Sequence, residues 1–575
     1  MSQVIARDSI DGVTVLHADV PGDTTLAALI FGVGRFDETL PASGITHMVE
    51  HLTLTGKTEA PYSFNASVSG RYTTFMVQAS HPDHVREYVA DVCQGLRADQ
   101  SAALDRERRI LRTEAASRGG AGALGACLSE RYGATGPGLA NYQEFGLYHL
   151  SWYDVLAWRS RWFTSGNAVL CIAGPVPDGL RVDLPIGLLP EHQPLRPLDQ
   201  TLPGFVVAGR GGLGLSLVGE RSVGSYVCAD VLQRRLTQVL RHELGVSYHV
   251  QASFEELSAG QTHAWLAADS LPDQVPALSH AMLGTFEALV EEGCTETELK
   301  ACAERLGESY NDSLPGVAAV LQRQARAILN KQAWTAEKTL NDAAGLSPAA
   351  TRQIARGLYD SMIVAAPSAP PALSGRMARL PLWSAGPVAG IEYTAVDSGA
   401  VLTSGPDGVT LTPEPQHYIT VRYTGCAALL RWTDGKQTIV GSDGFAVQLD
   451  PGEWPEGQAV LTGIADHVRP DLIVAMDGPG PSRPVRATAA DRETPASPPT
   501  AAPTASSASS ASARSPQPPA RRLSWPARIL RAVWTVVGIF GLLAIAGGDI
   551  SGGVAFLVIG LAGLGWMEFR RRRNA

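Results

Sequence analysis

Residues 44–51 read Gly-Ile-Thr-His-Met-Val-Glu-His and set His47, Glu50 and His51 inside an otherwise apolar stretch. On a helix, positions four apart lie one above the other, so His47 and His51 point the same way. Two neutral imidazoles at this spacing can close on one zinc ion. Glu50, three residues from His47 and one from His51, can lean toward that ion without binding it. This suits a base that takes a proton from a zinc-activated water. The order His-x-x-Glu-His is the inverted form of the commoner zinc-protease signature. The plainer reading is a partly buried helix whose histidines only hydrogen-bond.

A catalytic zinc site needs a third protein ligand, and one candidate helix supplies acids at a matching spacing. In 103–118, ALDRERRILRTEAASR, the residues Leu104, Glu107, Leu111 and Glu114 share one face. That face should meet the core, where an unpaired carboxylate is expensive, so Glu107 and Glu114 need partners. Zinc and the free N–H of a histidine qualify. A solvated face paired with Arg106, Arg108, Arg109 and Arg112 is the competing reading.

Outward from these motifs, the chain separates into units. Its 575 residues are too many for one core. Residues 1–185 combine strand-like runs (VTVLHA, LAALIFGV, NAVLCIAG) with helical patterns at 43–54, 83–98, 103–118 and 151–163, and end in a linker rich in Pro and Leu. Residues 200–385 repeat these kinds of element, with helices expected at 225–243, 273–291, 295–309 and 315–330 and a closing strand MIVAA. The expected fold class is therefore α+β, with two similar mixed α/β lobes. Residues 387–477 change character: Asp-Gly pairs in PDGVTL, TDGKQTIV and SDGFAVQL precede alternating apolar residues and signal hairpins. With the helical run VLTGIADHV near the end, this reads as a small mostly-β module, weakly similar to a pleckstrin-homology-like barrel.

The tail differs again. Residues 478–526 form a Pro/Ala/Ser tract too poor in apolar residues to fold. Within 527–575, two apolar runs, 532–548 and 552–567, flank Asp549 and carry arginines outside both ends. They are expected to form a transmembrane helical hairpin with both ends in the cytoplasm; a buried helical pair in a soluble domain is the alternative. Net charge is −9 overall, but the residues from 478 onward hold 12 Arg and only 4 acids. The acidic remainder argues against a nucleic-acid partner and would be repelled by anionic lipid, which makes sense of a long tether. The 7 cysteines form no Cys-x-x-Cys pair, as suits a reducing compartment. The first twenty residues hold no apolar signal-peptide core. High Ala, Gly and Arg usage hints at a GC-rich bacterial genome.

The stretch GVGRFDETLPASGITHMVEHLTLTGK, with ERRILRTE downstream, resembles the M16 zinc metallopeptidases, the pitrilysin, insulinase and mitochondrial processing peptidase family. The resemblance covers residues 1–370. It implies that His47, His51 and Glu114 bind Zn2+, that Glu50 is the catalytic base, and that Glu107 is the supporting carboxylate. Phe64-Asn65-Ala66-Ser67 is similar to the family strand that pairs with bound peptide, which makes Asn65 and Ala66 substrate-binding candidates. LRHELGVSYHV is similar to the family's Arg-then-Tyr segment, so Arg241 and Tyr248 are implied to contact substrate. By residue chemistry alone, Arg241 can grip a carbonyl or carboxylate and Tyr248 can donate to a developing oxyanion; an ordinary helix end capped at Gly245 fits equally. The interval from His51 to Glu114 is shorter than the family's, chiefly around 55–70. Two lobes per chain imply a homodimer or pairing with a similar M16 subunit.

The expectation is thus a membrane-anchored zinc metallopeptidase, on the cytoplasmic face of the cell membrane, that hydrolyses short or unfolded peptides. The alternatives are a non-catalytic M16-like peptide-binding or assembly subunit at the membrane, and a hydrolase of some non-peptide amide.

Overall fold

Six strands form the sheet that carries the motif helix: β1 (Ala6–Ile10), β2 (Val13–Ala18), β3 (Thr25–Phe31), β4 (Ser63–Val68), β5 (Thr73–Ala79) and β6 (Ala168–Ala173). The computed structural model describes residues 5–57, 59–118, 122–209 and 211–481. Strand order is β1-β2-β6-β3-β5-β4, antiparallel throughout except where β2 meets β6. Helices α1 (Ile45–Thr53), α2 (Pro82–Arg97), α3 (Leu104–Arg118), α4 (Gly122–Tyr132) and α5 (Trp152–Trp162) complete this part of the chain. On one face of the sheet, Met48, Val49 and Leu52 of α1 join Phe31, Phe75, Tyr88 and Leu111 in a single core.

The second lobe repeats the plan. Strands β7 (Gly204–Val207), β8 (Leu213–Glu220), β9 (Val250–Glu256), β10 (Gln261–Ala268), β11 (Ile363–Ala366) and β12 (Ala378–Arg379) run in the order β12-β7-β11-β8-β10-β9. Laid over the first sheet, β7, β11, β8, β10 and β9 take the places of β2, β6, β3, β5 and β4. Its helices are α6 (Val223–Thr237), α7 (Val275–Glu292), α8 (Glu296–Ser309), α9 (Leu314–Leu329), α10 (Ala336–Ala344), α11 (Pro348–Asp360) and the single turn α12 (Pro371–Ser374). The expected helix at 225–243 ends earlier as α6 and continues as a π-turn over Gln238–Glu243.

The two lobes exchange helices. Both β3 and β6 are buried along their whole length, so each face of the sheet needs a cover. The rear face of the first sheet, with Leu16, Ile30 and Val169, packs against Val317, Leu321 and Ala325 of α9 from the second lobe. Reciprocally, the rear face of the second sheet, with Val206, Trp265 and Ile363, packs against Ala126 and Cys127 of α4 from the first. Arg131 at the end of α4 is buried there and donates to the carbonyls of Ser216 (3.1 Å) and Ser361 (2.6 Å). The lobes also meet where their edge strands end. The Gly70 N–H donates to Glu255 (3.0 Å), the Arg71 Nε to the Leu257 carbonyl (2.6 Å) and the Tyr72 hydroxyl to Glu256 (2.7 Å).

After the lobes come two four-stranded sheets: β13 (Ile391–Thr394) to β16 (His417–Arg422), with β14 (Val401–Gly405) and β15 (Gly408–Glu414) between them, and a second sheet in the order β19-β18-β17-β20. The latter comprises β17 (Cys426–Arg431), β18 (Gln437–Gly441), β19 (Ala446–Leu449) and β20 (Ile473–Ala475). Both sheets and helix α13 (Gly457–Asp466) share one core, including Leu402, Val421, Leu429, Ile439, Val447 and Leu461. Two Asp-Gly pairs fall in the tight connections after β17 and β18, and the third spans the end of the turn after β14, its Gly408 opening β15.

The membrane part of the expectation is corrected. Among the described residues no helix is long and apolar enough to cross a membrane. The longest, α7, has 18 residues, buries its apolar side in the second lobe and ends in glutamates. The apolar runs 532–548 and 552–567 lie outside the described residues, as do residues 482–526 of the tether and the flanking arginines. The described residues thus contain no transmembrane hairpin, and membrane anchoring, the membrane as a partner and the cytoplasmic-face location are withdrawn.

One buried group makes stability depend on pH. His263 of β10 is 3% exposed, with Nε2 2.9 Å from Ser216 Oγ. Burial, and then the charge of Arg131, push its imidazole down to about 3. The folded protein keeps His263 neutral, whereas the unfolded chain takes up a proton near pH ~6.5. The stabilisation is complete above that pH and is lost progressively as pH falls toward the folded value. Melting temperature should therefore fall more steeply in the wild type than in His263→Gln between about pH 6 and about pH 4. Parallel curves from calorimetry would contradict this.

Candidate metal centre and active site

Helix α1 is set in place before its histidines are considered. It starts after Gly44, whose φ of +91° lies in the left-handed region. A Cβ on Gly44 would come within 2.8 Å of the Glu144 Cβ, so close approach and backbone conformation both require glycine. Buried Glu38 accepts the N–H groups of Gly44 (2.8 Å) and Thr46 (2.9 Å). It satisfies donors that a helix start leaves unpaired and places an acidic group at the positive end of the dipole. With Met48, Val49 and Leu52 in the core, the rotation of the helix is fixed, and His47 and His51 turn toward α3.

The two imidazole rings sit 5.0 Å apart at 88° to one another. Both Nε2 atoms face the Glu114 carboxyl, at 3.7 Å from His47 and 3.6 Å from His51. Glu50 Oε2 lies 3.8 Å from each Nε2. His47, Glu50 and His51 bring their donor atoms within 4.8 Å of one another. Around a tetrahedral ion with bonds of ~2.0–2.1 Å, neighbouring ligand atoms lie about 3.4 Å apart. The Glu114 distances lie close to that spacing, and the donor set is compatible with a divalent metal once the ligand atoms draw inward.

The outward-facing nitrogens carry the strongest indication. His51 Nδ1 lies 3.3 Å from Glu107, and His47 Nδ1 lies 3.2 Å from Glu144. A carboxylate at Nδ1 holds the proton there and leaves the Nε2 lone pair free for a metal. Arg106 and Thr55 also bond Glu107, at 2.8 and 3.3 Å, fixing that carboxylate in turn. Burial alone would lower the His51 pKa, but Glu114, Glu50 and Glu107 outweigh it and hold the imidazole above its usual range. A proton and a divalent ion would therefore compete for the same nitrogens.

The remaining candidates lie apart. Asn65 and Ala66 sit on β4, the terminal strand of the first sheet, which among the described residues pairs with β5 alone. The Asn65 carbonyl accepts the Tyr88 hydroxyl at 3.1 Å. Arg241 and Tyr248 are on the second lobe, with the guanidinium 5.1 Å from the ring centroid. Tyr248 is 76% exposed. Asp269 shapes their loop, accepting from Ser247 Oγ (2.7 Å) and from the N–H groups of Tyr248 (3.0 Å) and His249 (2.8 Å). Sequence reasoning missed Glu144, Glu38 and Asp269. Glu144 lies in YQEFGLYHL, a stretch with neither helical nor strand period; its one signal was a lone acid among aromatics and glycine.

With this geometry in place, comparison with solved structures gives the class. The chain resembles the peptidase M16 inactive domain from Pseudomonas fluorescens at a TM-score of 0.53 and 14% identity, over 64% of this chain and 99% of that one. It resembles a protease from Helicobacter pylori at 0.52 and 14%, over 63% and 99%. It also resembles the periplasmic protease PqqL from Escherichia coli at 0.51 and 13%, over 72% and 56%. No protein-family model matches the sequence, and no curated protein matches it. The chain has the two-lobed M16 fold, and His47-x-x-Glu50-His51 matches the inverted zinc-binding motif typical of M16 metallopeptidases. At 13–14% identity these structures show the fold.

Glu144→Gln should keep the fold and lower metal affinity about 10- to 100-fold, the usual effect of removing an orienting carboxylate. Competition against a chromophoric chelator measures it; unchanged affinity would show that Glu144 does not orient His47.

Proposed function

We propose that this chain is a zinc-dependent metalloendopeptidase acting on short or unfolded peptides. The reading rests on one observation: two Nε2 atoms and the Glu114 carboxyl converge on one point, while a carboxylate backs each Nδ1. His47, His51 and Glu114 would hold the ion. When bound, zinc supplies Lewis-acid activation of a water and of the scissile carbonyl. Glu50, beside both Nε2 atoms, takes the proton of the attacking water and passes it to the departing amine. Glu107 and Glu144 keep the imidazoles in the ligating tautomer.

Substrate would bind as an added strand along β4, past Asn65 and Ala66. We assign Arg241 and Tyr248 to peptide contact on the second lobe, where both are exposed. A non-catalytic binding subunit would have no use for a base at position 50, and no feature of the site favours that reading.

The purified protein should carry one zinc ion and lose it in His51→Ala and Glu114→Ala. Glu50→Gln should keep the ion while hydrolysis of a quenched peptide falls by about 10²- to 10⁴-fold. Zinc retained without hydrolysis in the wild type would identify a binding subunit instead. No zinc at equimolar loading would overturn the proposal.

A further inference from the structure

The sheet β19-β18-β17-β20 is apolar on both faces. Leu429, Ile439 and Val447 point into the core of their own module. Their neighbours Ala428, Leu430, Val440, Val474 and Met476 point the other way and pack against Leu40, Ala134, Leu139 and Phe145 of the first lobe. Continuous apolar runs such as CAALL and IVAM mark a strand buried on both sides. The contact extends to the backbone: the Ala134 N–H donates to the Ser442 carbonyl at 3.0 Å. Gly133, at φ +64°, passes so close that any side chain there would overlap Ser442.

The first-lobe segment under this sheet is the one that bears Glu144. Phe145 follows Glu144 directly, is 2% exposed and fills the shared core, with Tyr142 and Tyr148 packed at its border. On its other side the same segment is tied to the start of α1. The Phe145 N–H donates to Ser43 Oγ (2.8 Å) and the Gly146 N–H to the Ser43 carbonyl (3.0 Å). A second link reaches α3, the helix of Glu107 and Glu114. Arg112 lies 4.2 Å over the Tyr148 ring and pairs with Asp477, just beyond β20, at 2.7 Å. One guanidinium thereby joins α3, the Glu144 segment and the module.

We infer that the β-rich module is a brace for the metal centre: by pressing Phe145 and Tyr148 inward, it holds Glu144 on His47 Nδ1. Val440 and its neighbours on that face are positioning residues, acting through Glu144 at a distance from the ion. The inference rests on the metal-centre reading above and gives the module a role in it.

The test uses the full chain with two equal truncations. Val440 and Val447 are both fully buried in the same sheet, but Val440 faces the first lobe and Val447 the module's own core. Val440→Ala should lower zinc affinity on the order of 10-fold and shift the acid limit of zinc binding to higher pH. It should also speed amide exchange over residues 145–150 in the metal-free protein. Val447→Ala should do none of these at a comparable loss of melting temperature, and Val440→Ile should restore the wild-type values. Equal effects from both truncations, or none from Val440→Ala on exchange and affinity, would overturn the brace. Absence of zinc from the wild type would instead strike the metal-centre reading, while the exchange measurement would still report on the contact.

Discussion

The architecture depends on a covering problem. Each central sheet is apolar on both faces, and in each lobe the local helices shield only one. The exposed rear faces would otherwise present strands such as β3 and β6, buried along their whole length, to water. The exchange of α4 and α9 solves this in one stroke, since each lobe donates the lid of the other. The buried Arg131 fixes where the donated helix ends, because its guanidinium must find the carbonyls of Ser216 and Ser361 to be tolerated there. Two units of similar topology thus become one body, and that body holds the edge strands β4 and β9 in a set relation.

On this frame the His47 cluster is an electrostatic arrangement compatible with a cation. Glu50, Glu107, Glu114 and Glu144 all lie within 4 Å of the nitrogens of His47 and His51. Four acids around two imidazoles repel one another, and positive charge between them relieves that repulsion. A proton on His51 relieves part of the repulsion, which is why its pKa is raised. A divalent ion relieves more and satisfies the lone pairs the carboxylates have left free.

Much of the site was legible because its key groups are local. His47, Glu50 and His51 lie on one helix, and the spacing of Glu107 and Glu114 on another put two costly acids on a face that needed partners. The two-lobe plan was readable from repeated element types. Glu144 was not, because a residue that acts through a turn has no period to betray it. Helix α4 escaped for a related reason. Its sequence, GALGACLSERY, is small and weakly amphipathic, since it lies on a foreign sheet and not on its own lobe. The Asp-Gly hairpins of 387–477 could be read, but runs such as CAALL and IVAM signal only that a second face is covered, not that the cover is the distant segment around Phe145. The membrane hairpin was inferred from residues outside the described fold, whose own helices give it no counterpart.

The closed corner between the lobes sets a limit on anything laid along β4. That strand offers six residues, about 20 Å of edge, and its far end runs into Glu255, Glu256 and Leu257 through Gly70, Arg71 and Tyr72. A guest strand would advance only until it met this corner. The groove would then act as a ruler with one blocked end, admitting extra length from the Ser63 side alone.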